Sequence, residues 1–210
     1  MSMETVAVLD FETTGLSPNY GDRATEIAIT LVRDGQVVDS YQSLMNAGRR
    51  IPSEVTYITG ITNAMIAAAP PVAKVMRDAC KFVGNMPVVA HNASFDKKFW
   101  DAELAHLSLS SASKFACTML LSRRIYPNSP NHRLSTLVQL LGLPQSGRAH
   151  RAMVDAEMTS HLWCRIQHDF SEIYRIQSVN HELLTRVQTM TRSKMPEFLI
   201  GSMARPGLEK

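Results

Sequence analysis

Apolar and polar positions along this chain follow two periods, one near 2 and one near 3.6. Val6-Ala7-Val8-Leu9 is an unbroken apolar run and predicts a buried strand. From Glu26 to Val32 the pattern alternates, with Ile27, Ile29 and Leu31 on one face. Asp34-Gly35 predicts a tight hairpin turn, and Val37-Val38 opens the returning strand. Pro52 to Ala69 reads as short helices and turns. Behind Pro71 the period lengthens: Val72, Val75, Met76, Ala79, Phe82 and Val83 form a helical stripe. Pro87-Val88-Val89-Ala90 predicts the next strand, and Ser94 is placed to cap a helix with Phe95, Phe99 and Ala102 on one face. Phe115-Ala116-Cys117 predicts a short strand and Met119 to Ile125 a helix. Leu134, Leu137, Val138 and Leu141 mark another helix, ended by Gly142 and Pro144. After the loop Gln145-Ser146-Gly147-Arg148, a long helix is expected from Arg151 to Ile166. From Ser171 onward, the positions Ile173, Ile176, Leu183, Leu184, Val187 and Met190 predict one more amphipathic helix, from Glu172 to Thr191. Arg192 to Lys210, with two prolines and two glycines, is expected to be a mobile tail.

Three strands, then helix, strand, helix, strand, helix: this order favours an α/β layer with a mixed sheet. At 210 residues, 45% hydrophobic and 20% charged, the chain can build one substantial core. No apolar stretch reaches membrane-spanning length, so no membrane partner is expected. The N-terminus reaches Asp10 too soon for a secretory signal and lacks a basic start. Cys80, Cys117 and Cys164 are odd in number and lack metal-type spacing, which reads as reduced cysteines in a cytoplasmic protein. A net charge of +3 is low for a protein that coats long nucleic acid, though one that grips only an end needs no more.

The chemistry begins where the first strand ends, at Asp10-Phe11-Glu12-Thr13-Thr14-Gly15. Side chains at i and i+2 of a strand share a face, so Asp10 and Glu12 converge. Like charges that close are unfavourable unless a cation lies between them. Oxygen donors alone suit Mg²⁺ or Mn²⁺ rather than zinc. Two further segments put acidic or imidazole groups where an α/β sheet opens its crevice. In His91-Asn92-Ala93-Ser94-Phe95-Asp96, Asp96 falls in the first turn of a helix that follows a strand. In His150-Arg151-Ala152-Met153-Val154-Asp155, the end residues would lie roughly 140° apart inside one helix. They converge if His150 stays in the preceding loop, for which Gly147 gives freedom, and Asp155 faces inward.

Together these three segments resemble the exonuclease motifs of the DnaQ-like (DEDDh) 3′–5′ exonucleases, in the right order across about residues 5 to 166. The stretch from Cys117-Thr118-Met119 to Arg123-Arg124-Ile125-Tyr126-Pro127 is similar to the exonuclease X branch, and the whole also resembles the polymerase III epsilon-like exonucleases. The resemblance implies a ribonuclease-H-like fold: a mixed five-stranded sheet flanked by helices, with a C-terminal helical extension. It implies a catalytic domain over residues 1–168 and the extension and tail over 169–210. It also implies two ions per active site, Mg²⁺ or Mn²⁺. Asp10 would bridge them, Glu12 and Asp155 would complete the shell of the ion that activates water, and Asp96 would hold the other. His150 would be the general base, since neutral imidazole suits proton abstraction near pH 7.

Phe11, Thr13, Thr14, Ile61, His91, Asn92 and Phe95 are carried over as substrate-binding positions. Taken by itself, Phe11 reads as core, and His91 and Asn92 as residues that order the strand end. In Tyr57-Ile58-Thr59-Gly60-Ile61-Thr62, Thr59 stands where relatives carry a His near the terminal nucleotide. Lys97, Lys98, Arg123, Arg124, Arg133, Arg148 and Arg151 gather near the motifs, as surface charge or as phosphate contacts. The expected partner is a nucleic acid 3′ end, with DNA favoured over RNA. Two other readings stay open: an exoribonuclease, and a proofreading-type subunit docking to a polymerase or repair assembly. The C-terminal helix would be the docking element, a homodimer contact, or a piece that packs back on the core.

Overall fold

The computed structural model describes residues 4–145, 147 and 150–203. Ser146, Arg148 and the last residues of the expected tail lie outside them. Among the described residues, five strands form one mixed sheet in the order β3-β2-β1-β4-β5. The strands are β1 (Val6–Thr13), β2 (Ala24–Arg33), β3 (Gln36–Leu44), β4 (Val88–Ala90) and β5 (Phe115–Cys117). β1, β2 and β3 pair antiparallel, whereas β4 and β5 run parallel to β1. Arg33 pairs with Gln36, and Asp34 and Gly35 take φ of 52° and 78° between them. Two successive positive φ values are what a two-residue hairpin on twisted strands requires.

Period-2 patterning decides which face each strand residue joins. Ala7, Leu9 and Phe11 enter the core beneath α3 (Val72–Val83) and α4 (Ala93–Ala105). Val6 and Val8 face the other way, into the core built with α7 (Ala152–Tyr174). Asp10 and Glu12 continue that second row. The remaining helices are α1 (Ser53–Thr59), α2 (Asn63–Ala68), α5 (Thr118–Ile125), α6 (Leu134–Leu140), α8 (His181–Val187) and α9 (Met195–Met203).

Four elements differ from the sequence expectation, one being the expected mobile tail, whose residues Met195–Met203 form α9 with Met195 and Leu199 buried. α7 runs on to Tyr174 because Leu162, Trp163, Ile166 and Phe170 extend its buried stripe. The single helix expected from Glu172 to Thr191 is broken. Arg175 takes a left-handed φ of 56°, and α8 restarts at Asn180, whose side chain accepts from Leu183 N–H. α4 starts one residue before Ser94, with Asn92 at its cap in a left-handed conformation, φ 63°, and no side-chain cap bond. α8 and α9 fold back onto the sheet, and Leu184, Val187, Met195 and Leu199 share the α7 core. Among the described residues, no helix is long and apolar enough to cross a membrane.

Candidate active site

β4 pairs with β1 only through Ala7 and Val8, so β1 runs on past its parallel neighbour. The edge N–H of Phe11 then has no strand to bond. Asp96, in the first turn of α4, fills the gap: its Oδ1 accepts from Phe11 N–H at 3.2 Å. Asp96 is 2% exposed. Ending β4 early thus opens the crevice and seats one acid in it.

α7 brings the other half of the site. It lies close to the sheet because Ala28, opposite Asp10 on β2, packs against Ala152 and Ala156. Thr30 and Ser160 share a buried hydrogen bond at 2.7 Å along the same seam. Small residues let helix and strand backbones approach, and Asp155, in the first turn of α7, swings over the end of β1. His150 stays outside the helix at a left-handed φ of 64°, and its N–H donates to Asp155 Oδ2 at 3.0 Å. Gly147, at φ 81°, gives the loop its turn. Among the described residues, ligand atoms of Glu12, His150 and Asp155 lie within 4.8 Å of one another.

Crowded, buried carboxyls hold their protons. Glu12 is pushed up to about 8, by burial first and then by the charges of Asp155, Glu26 and Asp96. Asp96 is raised to about 7, chiefly by burial. Burial followed by the Asp96 charge lifts Asp10 far above the usual carboxylate range. Asp155 also rises through burial, and the His150 N–H bond works against the rise. Such a set is costly unless protons or cations neutralise it. Four carboxylates with one imidazole in reach fit hard divalent cations, so the residues present suit Mg²⁺ or Mn²⁺.

Of the carried-over substrate positions, Phe11, Thr13, Thr14 and Ile61 are buried, His91 and Phe95 partly so, and Asn92 is exposed. Phe11 is 4% exposed, its ring centroid 6.5 Å from that of Trp100. Thr13 Oγ1 donates to Gly15 O, and Thr14 Oγ1 accepts from Arg23 N–H. Ile61 is fully buried with Ile51 and Ile66. Thr59 Oγ1 donates to Val55 O and receives Ile61 N–H, closing the end of α1. Both ring nitrogens of His91 are engaged, with Thr118 Oγ1 and His132 O, and burial takes its pKa down to about 4. Asn92 is exposed at the mouth of α4, and half-buried Phe95 carries Lys98 Nζ 4.9 Å from its ring centroid.

The basic side chains divide. Lys98 donates to Leu16 O beside β1, whereas Arg124 donates to Leu120 O, Gln188 O and Met190 O, and so ties down the chain after α8. Lys97 pairs with Asp101, while Arg123 on α5 and Arg133 before α6 are both exposed. Arg151 is committed to Glu26, a buried acid the sequence reading passed over. Its only signal was an acidic residue opening the alternation Glu26-Ile27-Ala28-Ile29.

The chain matches the RNase_T family model, described as an exonuclease, over residues 7–162. It is 36% identical over 171 residues to the PolC-type DNA polymerase III of Bacillus subtilis strain 168. That match takes in 80% of this chain and 12% of the relative, so the chain spans about an eighth of the relative's length. Exonuclease X, solved in complex with 5′ overhanging duplex DNA, is 27% identical with a TM-score of 0.70 and covers 87% of this chain and 99% of that one. The nuclease domain of 3′hExo, a DEDDh family member bound to rAMP, is 18% identical with a TM-score of 0.68. It covers 80% of this chain and 93% of its own, a likeness of fold alone.

Proposed function

The chain belongs to the RNase T family of exonucleases, and from that premise we propose that it removes nucleotides from DNA 3′ ends as nucleoside 5′-monophosphates, with divalent cations. One observation carries the reading: Glu12, Asp155 and His150 meet beside the buried acids Asp10 and Asp96. Asp10 would bridge two cations, Glu12 and Asp155 would complete one shell, and Asp96 would hold the other ion. Two such cations, when bound, would supply Lewis-acid stabilisation at the attacking and leaving oxygens and would lower the pKa of the attacking water.

The chain's own groups do the rest. His150 takes a proton from the attacking water as the O–P bond forms. Its ring is exposed, so that proton can pass on to solvent. As the P–O3′ bond breaks, the leaving oxygen is protonated from water. Asp155 orients the base through the His150 N–H. Lys98, at the rim, supports phosphate binding.

DNA is favoured over RNA by the likeness to exonuclease X, and the match to a PolC-type polymerase supports service beside a DNA polymerase. End-labelled single- and double-stranded DNA and RNA, digested with Mg²⁺ or Mn²⁺, test this directly. We expect stepwise loss from the 3′ end of DNA, abolished by EDTA and by Asp10→Ala in a folded protein. Undiminished digestion by Asp10→Ala would sink the reading, and faster digestion of RNA would move the substrate. Recovery of a DNA polymerase with the tagged chain tests the partnership.

A further inference from the structure

Glu26 stands fully buried next to the acids of the site, opposite Glu12 across the β1–β2 ladder. It accepts from four donors: Arg151 Nε at 3.2 Å, Arg151 Nη2 at 2.8 Å, Ala152 N–H at 3.1 Å and Gln42 Nε2 at 2.9 Å. Three of the four belong to the two residues at which the loop becomes α7. A fork of two parallel N–H bonds fixes direction as well as distance. The pairing outweighs the burial: Glu26 lies below, and Arg151 above, its ordinary pKa.

Asp155 and His150 are held in different ways. Asp155 rides on α7, which is seated by Ala28, Ala152, Ala156 and the Thr30–Ser160 bond. His150 lies off the helix, exposed, in a conformation that L side chains seldom adopt. Its neighbour Arg151 is the point where that loop is fastened to the sheet. We propose that Glu26 is a positioning residue for His150, holding the imidazole over Glu12 and Asp155 by gripping Arg151 and the Ala152 N–H. The inference rests on the reading of His150 as general base. Displacing a catalytic group by about 1 Å can cost on the order of 100-fold in rate.

Glu26→Gln keeps the side-chain shape and removes the ionic fork. In the full chain, kcat on labelled single-stranded DNA should fall roughly 10- to 100-fold with KM within about twofold. In a His150→Ala background the same change should cost less than about threefold, because the group it positions is gone. Arg151→Lys, which keeps the charge and loses the fork, should move kcat the same way if Glu26→Gln does not fold. Amide exchange gives a readout free of activity: His150 and Ala152 should exchange about tenfold faster or more, with Leu162 and Ile166 unchanged. An unchanged kcat in Glu26→Gln, with His150→Ala clearly impaired, would overturn the inference. So would an equal loss in the His150→Ala background, or unaltered exchange at His150. If His150→Ala or the parent chain showed no effect or no digestion, the catalytic reading would fall instead, and the exchange rates would still decide whether Glu26 holds the loop.

Discussion

Asp10, Glu12, Asp96 and Asp155 share a pocket that burial makes unfavourable for charge, and this shows in proton uptake. In the chelated protein, Glu12 stays protonated to about 8 and Asp96 to about 7. The unfolded chain releases those protons near pH 4. The folded state therefore binds more protons than the unfolded one between those limits, and stability falls as pH rises. His91 and His181 work oppositely, since burial lowers both, but only below about pH 6.5. The clear window is pH 6.5 to 8. Melting temperature in EDTA should drop across it, and Mn²⁺ should remove the drop. A chelated protein whose melting temperature is flat or rises there would contradict the account. His150→Ala should leave Mn²⁺ binding intact and slow turnover by roughly 100-fold or more, read from single-turnover digestion. At this scale the sequence was informative wherever the partners are close: Asp10 with Glu12 by strand period, His150 with Asp155 by helix geometry. It was silent on Glu26 because strand alternation does not give the register that puts Glu26 beside Glu12, nor the fold that brings Arg151 to it. The same limit hid the burial of Ile61 and the two bonds that occupy the His91 ring.

Helix α7 is the element on which the site turns. Its distance from β1 is set by alanines, and their smallness matters more than their apolarity. Ala156→Leu would overfill the contact with Ala28 and lift the helix. We expect a cost of about 1–3 kcal/mol in urea unfolding, with kcat falling more than the stability loss explains. A variant of normal activity would show that the close seat is not needed. The elements most legible in the sequence were those with a long stripe or a defined turn, such as α3 and the Asp34-Gly35 hairpin. The break between α7 and α8 was hidden, because the apolar spacing nearly continues across it. Side-chain bonds to the connecting backbone clamp the turn: Gln167 Nε2 donates to Val179 O and Ser171 Oγ to Ile176 O.

Across the molecule, the C-terminal helices close the far side of the sheet. His181 Nε2 bonds Val88 O, and Gln188 takes Cys117 N–H and gives an N–H to Phe115 O, so one side chain stands in for a further strand at the β5 edge. The division at residue 168 drawn from the sequence falls within the last two turns of α7, and the helices beyond it share the α7 core. Gln188→Ala should cost about 1–3 kcal/mol in urea unfolding by leaving two backbone groups without partners, with kcat within about twofold of the parent. A neutral change would show that water satisfies that edge. The most direct test of the central claim, that these scattered acids form one cation centre, is anomalous diffraction from crystals soaked in Mn²⁺. The account predicts manganese peaks bounded by Asp10, Glu12 and Asp155, with Asp96 beside a second peak. Peaks elsewhere on the molecule, or none at the end of β1, would contradict it.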